Sequence, residues 1–161
     1  GNSTATPRLE SSSSNRAYVG ATGAPIFAAQ SVTSASLGTL KGGSPVRVLR
    51  VLDGWAEINA PQGVRVWIYG KYVSKNAGIA IVTGSTVRLR SIPSTGSGSI
   101  VLGEVKKGQR VLVLGARNGW KEIEAPANLK TWIPSARVQP AKDSDRWEKD
   151  WRGAVKTALE G

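Results

Sequence analysis

The sequence contains no cysteine, no histidine and no methionine. Without cysteine or histidine, it cannot supply a thiol nucleophile, a Ser-His-Asp relay or a zinc site built from those ligands. No apolar run approaches the roughly 18 residues that a membrane-spanning helix needs. We therefore expect no membrane span, no metal, no cofactor and no catalytic residue.

Turn-forming residues are abundant: the 161 residues include 19 Gly and 8 Pro. These residues favour short strands joined by tight turns over long helices. The net charge is +11. A basic surface attracts polyanions such as nucleic acid, acidic lipid or anionic cell-wall polymer, but it also serves solubility alone.

An internal repeat organises the chain. The segment GWAEINAP at residues 54–61 recurs as GWKEIEAP at residues 119–126, 65 residues later. With that offset and no gap, nine of the twenty positions from Gly54 to Val73 are identical in the two copies. Such an ungapped match indicates a duplication.

The duplication predicts four segments. Residues 1–16, with a run of four serines, are a flexible tether. Residues 17–76 and 79–140 are the two repeats, and the short joint between them predicts that they touch. Residues 143–160 are a C-terminal helix.

Each repeat consists of short apolar runs broken by Gly, Asn, Ser and Pro. Residues 46–52 predict a strand, and the following Asp53-Gly54 is typical of a hairpin turn. Asn118-Gly119 occupies the matching place in the second repeat. About five short strands in 60 residues predict a small closed or half-closed β-barrel.

The second repeat also carries LRSIPST at residues 89–95, Leu-Gly followed by a further Gly, Asn-Gly-Trp, and a closing Trp-Ile with a late hydrophobic residue. This series resembles the bacterial SH3 domain. The resemblance implies a mainly β fold of two tandem SH3-like barrels followed by an amphipathic α-helix. It also implies a periplasmic or secreted protein of the cell envelope. No signal peptide is visible, so export follows from the resemblance alone.

The function expected from this resemblance is non-catalytic binding of peptidoglycan or of an envelope partner protein. Two alternatives stay open. One is a nucleic-acid-binding SH3-like protein, and the other is a structural adaptor between proteins.

Strand alternation selects the candidate binding residues. It places Ala56 and Ile58 in the core, with Trp55, Glu57 and Asn59 outside. On the next strand Val64, Val66 and Ile68 are core positions. The outward aromatic and basic residues of both repeats are ligand-binding candidates: Trp55, Trp67, Arg65, Trp120, Trp132 and Lys130. The other interpretation is that a long Ser/Thr/Gly-rich loop early in each repeat, at residues 33–36 and 94–99, covers these Trp rings as part of the core.

Glu122 and Glu124 lie two apart on one predicted strand, a spacing that paired catalytic carboxylates could use. Asn59 stands at the position of Glu124 in the first repeat, so the pair is not duplicated. We therefore predict no enzymatic activity.

The C-terminal segment has the helical period. Asp145 and Glu148 resemble a capping box. The apolar stripe consists of Trp147, Trp151, Val155 and Leu159. This stripe docks either on a barrel of the same chain or on a partner protein.

Overall fold

A computed structural model describes residues 15–75 and 78–160, with side chains described as far as Lys156. The fold is mainly β with one C-terminal helix, as predicted, and its strands form two antiparallel sheets. The first strand begins at Arg16, a residue that was predicted to belong to the tether. Residues 1–14 of the predicted tether lie outside the described residues, as do residues 76 and 77 of the joint.

The first repeat forms six strands: β1 (Arg16–Val19), β2 (Ala24–Phe27), β3 (Ser36–Leu40), β4 (Pro45–Leu52), β5 (Trp55–Asn59) and β6 (Arg65–Tyr69). The second repeat forms seven: β7 (Ile79–Ile81), β8 (Thr86–Arg90), β9 (Val101–Lys106), β10 (Arg110–Arg117), β11 (Trp120–Glu124), β12 (Thr131–Pro134) and β13 (Val138–Pro140). A 3₁₀ turn follows β6 at Gly70–Tyr72 and another follows β12 at Ser135–Arg137. The helix α1 spans Ser144–Glu160.

The two predicted hairpin turns are present. Asp53 and Gly54 have φ angles of 52° and 84°, and Asn118 and Gly119 repeat these values. Two consecutive left-handed residues are the mark of a type I′ turn, whose twist matches that of the flanking strands. These turns pair β4 with β5 and β10 with β11.

The two repeats exchange a strand. The first sheet has the order β13-β1-β4-β5-β12-β2-β3, and the second has the order β7-β10-β11-β6-β8-β9. Strand β6 of the first repeat therefore lies in the sheet of the second repeat, and β12 of the second repeat lies in the sheet of the first. The predicted boundaries 17–76 and 79–140 describe the duplication in the sequence, but each sheet contains strands of both repeats.

The exchange is symmetric in its register. Trp67 of β6 lies opposite Glu122 of β11, and Trp132 of β12 lies opposite Glu57 of β5. The turns after the exchanged strands also make matching hydrogen bonds. The Gly70 amide donates to the Gly119 carbonyl at 2.8 Å, and the Ser135 amide donates to the Gly54 carbonyl at 2.9 Å. Each contact joins one repeat to the other.

Neither sheet closes into a continuous hydrogen-bonded barrel within residues 15–75 and 78–160. The outermost strands are β13 and β3 in the first sheet, and β7 and β9 in the second, and these strands do not pair with one another. The structure thus establishes two open antiparallel sheets.

One hydrophobic core serves both sheets. It includes Ala56 and Ile58 of β5 together with Val66 and Ile68 of β6, so the alternation predicted for these strands is confirmed. The prediction was wrong for Asn59, which is buried, because a crossing segment of the second repeat covers it. Among the described residues, the helix is too short and too polar to cross a membrane.

Thr131 of β12 carries a hydroxyl with no hydrogen-bond partner among the described residues, although Thr131 is only 1% exposed. Val66 occupies the matching position of the first repeat. An unpaired buried hydroxyl is destabilising, whereas valine has nearly the same shape and needs no partner. We expect Thr131→Val to raise the free energy of unfolding by about 1 kcal/mol, measured by urea denaturation. Val66→Thr is the matched change and should lower it; a destabilised Thr131→Val variant would contradict this account of the core.

Candidate functional site

The four candidate Trp rings of the strands lie in two groups. Trp55 and Trp132 belong to the first sheet, and Trp67 and Trp120 belong to the second. Trp132 is 7% exposed, and the Arg50 guanidinium lies 5.4 Å from its ring centroid. Trp55 is half-buried and meets Phe27 edge-on, with the ring centroids 5.6 Å apart.

In the second sheet, Trp67 is half-buried beneath the Arg117 guanidinium, 5.9 Å from the ring centroid. Trp120 is 9% exposed and packs against Tyr69 at 5.3 Å. Trp120 and Trp132 were predicted to face outward, but neighbouring side chains cover them. Both rings therefore act mainly as part of the packed face of their sheet.

Arg65 and Lys130, the two basic candidates, are exposed, the first at the start of β6 and the second next to β12. Neither lies over an aromatic ring among the described residues.

An open groove of about 940 Å³ lies on the second sheet. Six elements build it: the end of β6, the 3₁₀ turn Gly70–Tyr72, strands β8 and β9, the β10–β11 hairpin, and the loop of residues 91–99. The exchange of β6 creates the groove, because it brings Tyr69 and Tyr72 of the first repeat next to Trp120 of the second.

The floor of the groove is a contiguous aromatic row. Tyr69 meets Trp120 at 5.3 Å and Tyr72 at 5.9 Å between ring centroids, in tilted geometries. Tyr69 is 42% exposed and Tyr72 is 39% exposed. Exposed aromatic surface of this kind suits the flat face of a sugar ring, a peptide or a base.

Arginines flank the aromatic row. Arg88 and Arg90 project from β8, and the Arg90 guanidinium donates to the Ser99 hydroxyl at 3.2 Å, which fixes its position. Glu104 of β9 lies opposite Arg88, and among the described residues it is the one carboxylate in the groove lining. The described lining thus offers guanidinium groups to an anionic ligand, and it lacks the carboxylate pair that glycoside hydrolysis uses.

The first sheet differs from the second at the positions that line the groove. Pro134 and Arg137 stand at the positions of Tyr69 and Tyr72. The Arg137 guanidinium donates to the Gly23 carbonyl at 2.8 Å and to the Thr22 hydroxyl at 3.3 Å. The side chain at this position therefore holds the fold together in one sheet and lines a groove in the other.

Among the groove residues that were not predicted from the sequence are Tyr69, Tyr72, Arg88 and Arg90. A signal was present for Tyr69, which continues the outward alternation of Arg65 and Trp67. The signal for Tyr72 was the difference between the repeats, since Arg137 stands at its position in the second copy.

The C-terminal helix docks on its own chain. Trp147 is fully buried, and its indole nitrogen donates to the carbonyls of Ala17 at 2.8 Å and Val46 at 3.2 Å. Trp151 is half-buried and stacks on Trp147 with ring centroids 5.0 Å apart, while Arg47 lies 4.8 Å from the Trp151 ring centroid. In this arrangement Trp147 is not available to a partner protein.

Two further candidates on the stripe lie nearer the C-terminus. Val155 is half-buried and lines one cavity together with Val111 and Leu112 of β10, and the helix contacts β1 and β4 of the first sheet and β10 of the second. The side chain of Leu159 lies outside the described residues.

The prediction that Asp145 and Glu148 form a capping box was wrong. Asp143 precedes the helix, and its carboxylate accepts a hydrogen bond from the Arg146 amide at 3.1 Å. The first amides of a helix lack partners within the helix, and an N-cap side chain satisfies one of them. Asp143 therefore caps the helix two residues before the predicted Asp145.

No protein-family model matches this chain, and a search of curated proteins finds no match to it.

Replacing the buried indole tests how the helix is held. Trp147→Ala removes a fully buried ring and both of its hydrogen bonds, so we expect a loss of about 3–5 kcal/mol in the free energy of unfolding. Trp151→Ala is the matched control, and its loss should be clearly smaller because this ring is only half-buried. Urea denaturation measures both, and equal losses would contradict the assigned docking.

Tyr18 provides a pH test of the same contact. Burial, and then the hydrogen bond donated to the Asp150 carboxylate at 2.8 Å, raise the pKa of Tyr18 from 10.0 to about 12. Because the folded state favours the neutral phenol, this stabilisation is complete below pH 10 and is lost as the pH rises through about 12. Absorbance of phenolate, compared with a Tyr18→Phe variant, should show one late-titrating tyrosine. Asp150→Asn should lower its pKa, and an unchanged titration in that variant would refute the role of the carboxylate.

Proposed function

We propose that this chain is a non-catalytic binding protein of the bacterial cell envelope, and that the groove of the second sheet holds a cell-wall glycan-peptide. The observation that carries the proposal is the aromatic row of Trp120, Tyr69 and Tyr72, in which the two tyrosines are exposed, with Arg88 and Arg90 beside it.

The chemistry of the groove fits such a ligand. Sugar rings present C–H faces that pack on aromatic side chains, as in many mixed apolar and polar sites. The stem peptides of cell-wall polymer carry carboxylates, which pair well with the planar guanidinium of arginine. The net charge of +11 adds long-range attraction toward an anionic wall.

We further propose that each sheet is a variant of the small SH3-type barrel. In this variant one strand comes from the other repeat: β12 in the first sheet and β6 in the second. Support comes from the duplicated Asn-Gly-Trp or Asp-Gly-Trp hairpin, the six or seven short strands of each repeat and the 3₁₀ turn after β6 and β12. A periplasmic or secreted location belongs to the same proposal and rests on the same resemblance.

A sedimentation assay tests the proposed ligand. The full chain is incubated with purified insoluble peptidoglycan and, separately, with RNA and DNA, at two salt concentrations. We expect the protein to sediment with peptidoglycan at both. If the protein does not bind peptidoglycan but binds nucleic acid in a salt-sensitive way, the nucleic-acid alternative is favoured, since phosphate contacts weaken steeply with salt. No binding to any of these polymers would leave an envelope partner protein or the adaptor role, and would refute the proposed ligand.

Variants locate the site. We expect Tyr72→Ala and Arg88→Gln each to weaken binding by about tenfold, the effect of losing roughly 1.4 kcal/mol of contact energy. Arg152→Gln on the exposed face of α1 removes the same charge outside the groove and should bind as the wild type does. Equal weakening in all three variants would mean that net charge, and not the groove, holds the ligand.

A further inference from the structure

The two repeats differ at a position that faces the strand exchange. Asn59 ends β5 and Glu124 ends β11, 65 residues apart, within a segment that is otherwise nearly identical in the two repeats. Asn59 is 8% exposed, and its side-chain amide donates to the Leu129 carbonyl at 3.0 Å. The Glu124 carboxylate accepts a hydrogen bond from the Gly63 amide at 2.7 Å.

Both contacts reach the other repeat. Leu129 leads into β12, and Gly63 leads into β6, so each side chain touches the segment that enters its own sheet from the opposite repeat. Next to them the Ala125 amide donates to the Val64 carbonyl at 2.7 Å. The crossing segments, residues 60–64 and 125–130, thus meet the ends of β5 and β11 through named hydrogen bonds.

The two contacts have opposite polarity. The position in β5 requires a donor, because its partner is a carbonyl oxygen. The position in β11 requires an acceptor, because its partner is a backbone amide. An ionised carboxylate at position 59 would place one acceptor against another, the Leu129 carbonyl oxygen.

The two crossing segments are also not equivalent in their backbone. Gly63 adopts a φ of +93°, and a Cβ added there would lie 3.0 Å from the Leu40 side chain. Asn128 stands at the matching position and is not among the described residues with positive φ. The amide that Glu124 recognises therefore belongs to a turn that glycine forms readily and that asparagine does not adopt here.

We propose that the edges of β5 and β11 are recognition sites for strands, and that Asn59 and Glu124 are the residues that select the strand of the opposite repeat. With one donor and one acceptor, the observed contacts are Asn59 with Leu129 and Glu124 with Gly63. If the two side chains trade places, both contacts are restored only when β6 pairs with β5 and β12 pairs with β11. The variant N59E/E124N should therefore reverse the exchange.

Disulfide cross-linking in the full chain reads the pairing, because no native cysteine competes. The pair W67C/E122C lies in directly opposite positions of β6 and β11, within reach of a disulfide. The pair E57C/W67C reports pairing within the first repeat. On non-reducing gels of monomeric protein, we expect the first pair to close and the second to stay reduced; in the N59E/E124N background we expect the opposite. Closure of W67C/E122C in both backgrounds would overturn the proposal.

If the double variant does not fold, the stability of two single variants tests the proposal instead. Asn59→Asp is nearly isosteric but loses the donor to Leu129, so its midpoint of urea unfolding at pH 7 should fall below that of the wild type. Glu124→Gln is the matched control: it keeps an acceptor for the Gly63 amide, so its midpoint should fall less. An Asn59→Asp midpoint equal to the wild type would overturn the assigned selectivity.

Discussion

The pairing of β6 with β11, and of β12 with β5, is the constraint on which the rest of the structure depends. Strand β12 of the second repeat completes the first sheet, and strand β6 of the first repeat completes the second sheet. The hydrogen bonds of these strands and the burial of Val66, Ile68 and Ile133 are then satisfied together. Since neither repeat can complete its own sheet in this arrangement, the two repeats form one cooperative unit with a shared core.

The proposed function follows from the same pairing. A groove with Tyr69 and Tyr72 beside Trp120 exists because β6 carries its tyrosines into the second sheet. The duplication produced two similar sheets, and the residues that differ between the two sheets have separate roles. In the first sheet the Arg137 guanidinium is hydrogen-bonded to the Gly23 carbonyl. In the second sheet the Tyr72 side chain is exposed and lines the groove. The helix, held by Trp147 on β1 and β4 and reaching β10, contacts both sheets away from the groove lining.

Much of the local structure could be predicted from the sequence. Strand positions followed from alternation, the hairpins from Asp-Gly and Asn-Gly, and the helix from its apolar period. The exchange could not be predicted, because β6 and β12 share one pattern and each fits the edge of either β5 or β11 in the same register. The burial of Trp120 and Trp132 depended on side chains of other strands, Tyr69 and Arg50, whose proximity only the topology reveals. The groove was missed for the same reason, since its aromatic row combines residues of both repeats.

Nuclear Overhauser effects between backbone protons test the central claim most directly, because they report which strands are neighbours in solution. The account predicts cross-strand effects between Trp67 and Glu122 and between Trp132 and Glu57. Effects between Trp67 and Glu57, with Trp132 next to Glu122, would show that each repeat keeps its own strand and would contradict the account.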